Sequence, residues 1–154
     1  MILVNRRTDY AIRVLLSLAK RGAGTCVSTS IIRREMLIPF ALAQRIVADL
    51  ARGGFIQTFP GRKGGLALDR PAALINLRQN MEHLEERFVS FDCLASDRAC
   101  PFDEKCPIRC RWRRLKEVIL KELELTTFED LASEGISLAV LFQVASVKPG
   151  IGRG

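Results

Sequence analysis

Three short helical patterns followed directly by a glycine-rich hairpin pattern constrain the fold of this chain more than any other feature. The first pattern spans residues 6–20, where apolar side chains recur with the period of a helix. Its inward positions are Ala11, Val14, Leu15 and Leu18. Thr8 or Asp9 is expected to cap the start of this helix, and Gly22 is expected to end it.

A second and a third helix are expected before the first pair of adjacent glycines. The second begins at Ser28 or Thr29 and runs to about Met36. Its inward side chains are Ile31, Ile32 and Met36. The third begins near Pro39, because proline suits a first helical turn, and runs to Arg52. Its inward stripe is Leu42, Ala43, Ile46, Val47 and Leu50, and its other face presents Phe40, Ala41, Gln44 and Arg45.

The hairpin pattern is a strand at residues 55–59 and a return strand at 66–68, joined by a glycine-rich connection that carries Arg62 and Lys63. Standing alone, such a hairpin is usually an ordinary loop with solvated cations. Directly after three helices it is typical of a wing, whose cations contact phosphates or enter a minor groove. The sequence therefore predicts a mainly α fold with a small β-hairpin wing, a winged helix-turn-helix.

The positive charge of the chain is concentrated in its first half. Residues 1–70 carry 12 basic and 4 acidic side chains, residues 71–105 carry 4 and 7, and the whole chain has a net charge of +7. This field favours a polyanionic partner, although a solvated arginine-rich surface gives the same charge. Together with the winged-helix pattern it predicts binding to double-stranded DNA. The predicted contacts are Phe40, Ala41, Gln44, Arg45, Arg62, Lys63, Thr29 and Arg6.

Two longer helices and a short final one are expected in the second half. The first, at residues 76–89, has Leu77, Met81, Leu84 and Phe88 inward and Glu82, Glu85 and Glu86 outward. The second, at 107–125, has an apolar stripe of Ile108, Trp112, Leu115, Ile119 and Leu123. A long helix after a small winged helix is a natural dimerisation element, which would match two DNA half-sites. Thr127 and Asp130 have capping-box spacing and predict the start of the final helix.

Four of the five cysteines fall within a stretch of eighteen residues, and three of them lie in the polar segment 92–106, which has no lasting apolar periodicity. They are Cys93, Cys100, Cys106 and Cys110. In a reducing compartment such a group binds metal or reacts more often than it forms disulfides. The spacing lacks the paired C-x2-C knuckles of a zinc ribbon, which favours an iron-sulfur cluster over zinc; incidental free cysteines are the other alternative. Cys26 stands apart and is expected to be a packing residue.

An enzyme is not expected. The sequence has no nucleotide-binding glycine motif and no convincing Ser/His/Asp set, and its single histidine, His83, is expected to be structural rather than a ligand. The apolar run at 136–145 is too short to span a bilayer, and the N-terminus lacks a secretory signal, so a cytoplasmic protein is expected. We expect that run to extend a dimer or pack over the core, and the tail from Val147 to be loose.

Taken in order, these segments resemble the bacterial Rrf-two type of winged-helix transcription regulators, which has IscR-, NsrR- and RirA-like members. The resemblance covers residues 1–132. It is carried by residues 8–15, 38–50, 54–56, 61–65, 68–71 and 126–131 and by the three spaced cysteines. It implies a homodimer on a palindromic operator, with a winged helix at 1–75 and a cluster loop and dimerisation helix at 76–132. Beyond the family pattern we expect a C-terminal extension at 133–154 that is in part disordered.

The resemblance also implies a cofactor, an iron-sulfur cluster of the 2Fe-2S or 4Fe-4S type whose state controls DNA affinity. The cysteines at the matching positions are Cys93, Cys100 and Cys106. The fourth ligand is either Cys110 or Asp9. Asp9 matches the acidic ligand that the partner subunit supplies in NsrR-like members. The position of the histidine ligand in IscR-like members is occupied here by Arg109, which cannot ligate iron. The IscR-type ligand set is therefore absent unless Cys110 takes the place of that histidine.

The resemblance places Gln44 and Arg45 where the recognition helix reads bases. Two wing positions depart from the usual pattern: an arginine is replaced by Pro60 and an aromatic residue by Leu66, so minor-groove reading is expected to move to Arg62 or Lys63. The main alternative keeps the winged helix and replaces the cluster with a zinc site or a thiol-redox switch. A more distant alternative is a metal-binding scaffold or electron-transfer module that does not regulate DNA.

Overall fold

The computed structural model describes residues 4–85, 88–94, 102 and 106–134. These residues form six α-helices, one two-stranded antiparallel sheet and two short 3-10 turns. The helices are α1 (Arg6–Arg21), α2 (Thr29–Glu35), α3 (Phe40–Arg52), α4 (Leu77–Leu84), α5 (Pro107–Leu125) and α6 (Phe128–Ser133). Strands β1 (Ile56–Phe59) and β2 (Gly65–Leu68) lie between α3 and α4, and the 3-10 turns are Ala72–Leu74 and Asp92–Leu94.

The main hydrophobic core is enclosed by α1, α2, α3, the hairpin and α6. Its most buried members include Leu15, Leu18, Ile32, Ile46, Leu50 and Phe128. Full burial of a side chain of this size stabilises a fold by about 1.5–3 kcal/mol. The predicted inward faces of α1 and α3 are confirmed, and with the hairpin they confirm the mainly α fold with a wing.

The hairpin is held to the helical core by a backbone bridge. Ile56 pairs with Leu68 at one end of the hairpin and Phe59 with Gly65 at the other. Leu66 also exchanges backbone hydrogen bonds of 2.8 Å with Val27, the residue before the N-cap of α2. A Cβ on Gly65 would overlap the backbone of Val27, so glycine is required where the wing meets the helical unit.

The predicted cap of α1 is wrong. Asn5 caps the helix, and its side chain accepts a hydrogen bond from the backbone N of Thr8 at 2.9 Å. The Thr8 hydroxyl is buried and donates to the Glu85 carboxylate at 2.6 Å, whereas Asp9 forms an ion pair with Arg13. The helix therefore begins early enough to place Thr8 and Asp9 inside its first turn.

Two further predictions of inward or outward side chains are wrong. Ile31 is 41% exposed, because α2 is so short that only Ile32 is buried and Met36 packs partly against the core. Glu85 does not point into solvent away from the protein, since its carboxylate also accepts from the backbone N of Asn5 at 3.1 Å. This acidic side chain satisfies donors at the N-terminus of α1, where negative charge is favoured.

Helix α4 is shorter than predicted. It ends at Leu84, and the next residue, Glu85, is extended. Phe88 is buried as expected but lies beyond the helix. With Met81 and Val89 it forms a second small core, against which Ile119 and Leu123 of α5 pack. The expectation that Glu86 points outward concerns a residue outside the described part of the chain.

The two predicted helices α5 and α6 are confirmed. No residue of α5 is fully buried in the single chain, and Ile108, Trp112 and Leu115 of its apolar stripe are exposed. Helix α6 has a reciprocal capping box between Thr127 and Asp130. Its first residue, Phe128, is completely buried, so the chain returns after α5 to the main core.

The apolar run at 136–145 and the tail from Val147 lie outside the described residues. Among the helices that the structure describes, none combines the length and apolar character needed to cross a membrane.

Candidate nucleic-acid interface and cysteine segment

Helix α3 separates the core from a candidate reading surface. Ala43, Ile46 and Leu50 are buried against the other helices. The opposite face is exposed and consists of Phe40, Ala41, Gln44 and Arg45, as the sequence predicts. This face combines an aromatic ring, a methyl group, a carboxamide and a guanidinium, which are groups that contact base edges in a major groove.

The tip of the hairpin presents Arg62 and Lys63 to solvent. Gly61 has a φ of 100°, which side chains other than glycine rarely adopt, and Gly64 donates a 3.0 Å hydrogen bond back to the Gly61 carbonyl. A Cβ on Gly64 would overlap the carbonyl of Phe59. The glycines therefore make a tight turn that projects two cations, which suits phosphate contact.

The remaining predicted DNA contacts lie at helix starts. Arg6 is the exposed first residue of α1, and Thr29 is the half-buried first residue of α2. Arg33 was not among the predicted contacts, and its guanidinium carbon lies 5.6 Å from the centre of the Phe40 ring. A cation-aromatic pair at this distance orients both groups. The sequence signal for Arg33 is only a cation in the predicted second helix, a few residues before the predicted third helix.

The C-terminal half of α3 is anchored by a buried carboxylate. The Asp49 side chain is only 6% exposed, lies 3.7 Å from Arg7 of α1 and also pairs with Arg52. His83 Nε2 lies 2.7 Å from the backbone carbonyl oxygen of Asp49, and the His83 ring packs against Phe55. These contacts give His83 a structural environment and fix α3 against α1 and α4.

The described cysteines are all free thiols. Cys93 is exposed in the 3-10 turn Asp92–Leu94, and Cys106 is half-buried at the N-cap of α5. Cys110 is exposed one turn further along, and its backbone N donates to the Cys106 carbonyl at 3.4 Å. Cys100 lies outside the described residues. Cys26 is exposed, so its prediction as a packing residue is wrong; the next residue, Val27, is the one that packs into the core.

The donor chemistry of this segment suits a thiolate-bound metal centre. Cys93 and Cys106 stand at the two ends of the polar loop 92–106, and no disulfide occupies either sulfur. Within the described ranges, three or more His, Cys, Asp or Glu side chains do not converge on one point. Asp9, the other candidate ligand, has a half-exposed carboxylate that lies 2.7 Å from Arg13.

A three-helix core whose third helix exposes polar and aromatic groups beside a basic hairpin defines a winged-helix DNA-binding protein. Residues 4–134 match the Rrf2 family, described as iron-dependent transcriptional regulators. The chain therefore belongs to the Rrf2 family, which confirms the resemblance drawn from its motifs.

Individual relatives agree with this assignment. The chain is 26% identical over 125 residues to the HTH-type transcriptional regulator NsrR of Bacillus licheniformis, covering 80% of this chain and 87% of that protein. It superposes on CymR, the global cysteine regulator of B. subtilis, with a TM-score of 0.73 at 21% identity, covering 88% and 99% of the two chains. T. potens IscR gives a TM-score of 0.65 at 19% identity, covering 97% and 94%. The two solved structures support the winged-helix fold.

Proposed function

We propose that this DNA-binding regulator changes its operator affinity with the state of an iron-sulfur cluster. The observation that carries the proposal is the position of Cys106, a free, half-buried thiol at the N-cap of the 19-residue helix α5. A ligand at that position constrains the start of the longest helix in the described chain. The exposed thiol of Cys93, at the other end of the polar loop 92–106, supplies a second attachment point.

The proposed ligands are Cys93, Cys100 and Cys106, with Cys110 or Asp9 as the fourth. Cys110 is favoured by its position one helical turn after Cys106, and Asp9 by its half-exposed carboxylate. When bound, the cluster supplies thiolate-ligated iron that oxidation or nitric oxide can remove. Ligation by Cys93 and Cys106 would tie the 3-10 turn to the first turn of α5.

The residues proposed to bind DNA divide into two groups. Phe40, Ala41, Gln44 and Arg45 read bases, and Arg62, Lys63, Thr29 and Arg6 contact the backbone or the minor groove. We propose that a homodimer formed through the exposed stripe of α5 places two copies of α3 on a palindromic operator. The winged helix at 1–75 is then the reader, 76–132 the sensing and dimerisation unit, and 133–154 an extension.

The proposed control follows from the contacts of α5. Release of Cys93 and Cys106 would free the start of the helix, and a small shift of a dimerisation helix changes the separation of the two reading helices. Because both half-sites must be engaged together, a change in that separation lowers operator affinity without any change in α3 itself.

DNA binding before and after cluster removal tests the proposal. An operator is selected from random duplexes with anaerobically purified protein, and affinity is measured by fluorescence anisotropy. We expect the operator affinity to change when iron is removed from the wild type, and Cys93→Ala to bind like the iron-free wild type. The matched control Cys26→Ala, also an exposed cysteine, retains the response. Equal affinity with and without iron would contradict cluster control.

A second candidate function is a zinc site or a thiol-redox switch on the same winged helix. It is favoured by the free thiols of Cys93, Cys106 and Cys110 and by the structural likeness to CymR. In that case the anaerobic protein is colourless, and operator affinity responds to zinc or to a thiol oxidant. Metal analysis of the anaerobic protein separates the two candidates.

A further inference from the structure

The turn between α2 and α3 carries two large apolar side chains in solvent. Leu37 is 78% exposed and Phe40 is 73% exposed. Residues of this kind are normally buried, and here both lie at the entrance to the recognition helix. Leu37 and Phe40 are called the apolar tip below.

The backbone of the apolar tip favours glycine rather than leucine. Leu37 has a φ of 54°, the left-handed region. The backbone N of Ile38 donates to the Arg33 carbonyl at 2.9 Å and that of Leu37 to the Arg34 carbonyl at 3.4 Å, which is the hydrogen-bond pattern of a Schellman helix end. Glycine is the usual residue at the left-handed position of this motif, because a side chain there is strained. Strained residues cluster at binding sites.

The other half of the apolar tip is held in place. Phe40 is the first residue of α3, and the Arg33 guanidinium lies over its ring at 5.6 Å. The N-terminal residues of a recognition helix are the ones that reach base edges. Gln44 and Arg45, one turn further along, are exposed on the same helix.

The surroundings of the apolar tip point to nucleic acid as its occupant. Arg34 and Arg45 are exposed and Arg33 is half-exposed, while the only acidic side chain of α2, Glu35, is paired with Arg21. A protein partner would have to bury this positive charge, whereas a DNA duplex neutralises it. In the major groove only thymine presents an apolar group, its C5-methyl, and phenylalanine and other apolar side chains contact it there.

We propose that Leu37 and Phe40 read thymine methyl groups in the operator half-site. This inference rests on the proposed DNA-binding function and adds a sequence preference to it. Gln44 and Arg45 supply hydrogen bonds to polar base edges, and the apolar tip supplies contact with the methyl group, which hydrogen bonds do not read.

Replacement of thymine by deoxyuridine tests the proposal, since it removes only the methyl group. In the selected operator each thymine of one half-site is replaced in turn, and anisotropy is measured with wild type and Phe40→Ala. We expect about a fourfold loss of wild-type affinity at one or two positions, the value of one buried methyl group. Phe40→Ala is expected to lose this discrimination, whereas Leu74→Ala, an equally apolar exposed site, keeps it.

The outcomes separate this inference from the proposed function. Wild type that binds the operator equally with thymine or deoxyuridine at every position would overturn the inference alone. The inference would also be overturned if Phe40→Ala lowered the affinity for the thymine and deoxyuridine operators by the same factor. Failure to select any duplex would contradict the proposed function itself, and with it the inference.

Leu37→Gly provides a second readout that a merely structural role would not give. Relief of the left-handed strain should raise the Tm by a few degrees, while loss of the side chain should lower affinity for the thymine operator more than for its deoxyuridine counterpart. A higher Tm with unchanged discrimination would remove Leu37 from the proposed contact.

Discussion

The ring of Phe91 stacks on the indole of Trp112, with ring centroids 5.2 Å apart and an interplanar angle of 18°. Phe91 lies two residues before Cys93, and Trp112 lies two residues after Cys110. The stack therefore joins the start of the cysteine segment to the first half of α5. It is a direct contact between the chain just before the proposed ligand Cys93 and the proposed dimerisation helix.

The stack makes Trp112 a local probe, because it is the only tryptophan of the chain. Phe91→Ala should expose more of the indole, which is already 37% exposed, and move its fluorescence emission to longer wavelength. Phe102→Ala, at another exposed aromatic residue, is the control and should leave the emission unchanged. An unchanged spectrum in Phe91→Ala would show that the stack does not shield Trp112 in solution.

The buried carboxylate of Asp49 is expected to stabilise the winged helix at 1–75. Asp49→Ala removes the ion pairs with Arg7 and Arg52 and should lower the free energy of unfolding by about 1–3 kcal/mol, as loss of a charged hydrogen-bonding group does. Urea denaturation measures this difference. The control Glu124→Gln breaks an exposed pair with Arg78 and should change stability far less. If Asp49→Ala and Glu124→Gln lowered the free energy of unfolding equally, the Asp49 carboxylate would not be shielded from water.

The capping box of α6 predicts a pH dependence. The Thr127 side chain, and then its backbone N, donate hydrogen bonds to Asp130 and lower the pKa of that carboxyl below its ordinary value of 3.8. The charged form of Asp130 is therefore favoured in the folded state. Its contribution to the free energy of unfolding is complete above pH 3.8 and is lost as pH falls through the lowered folded-state pKa. Urea denaturation at several acidic pH values should show the stability advantage over Asp130→Asn shrinking in that window. An advantage that does not change with pH would contradict the assignment.

The cations of the wing are expected to act through phosphates. Lys63→Ala should weaken binding to all duplexes alike and reduce the slope of log affinity against log salt by about 0.9, the value for one phosphate contact. The measurement is a salt titration by anisotropy. Lys121→Ala, an exposed lysine on α5, should leave the slope unchanged. A change confined to one base position would instead identify Lys63 as a base reader.

The elements that the sequence predicts correctly are those whose ends depend on nearby residues. Helix α6 begins where Thr127 and Asp130 cap each other, and α5 begins where Pro107 follows Cys106. The two faces of α3 follow from the periodicity of its own side chains. For the same reason the face that carries Gln44 and Arg45 could be identified before the structure.

The incorrect predictions for α4 concern a side chain whose partner is distant in sequence. Glu85 is drawn to the N-terminus of α1 by Thr8, 77 residues earlier, and α4 ends where that contact begins. No local pattern reveals such a contact. Leu37 was missed because leucine gives no sequence signal for a left-handed backbone, and the exposure of Cys26 depends on the path of the chain into α2.

Iron and acid-labile sulfide in protein purified without oxygen test the central proposal most directly. We predict a brown protein that contains both, whose visible absorption is absent in Cys93→Ala and preserved in Cys26→Ala. A colourless protein with neither iron nor sulfide would contradict the proposal that a cluster controls this regulator.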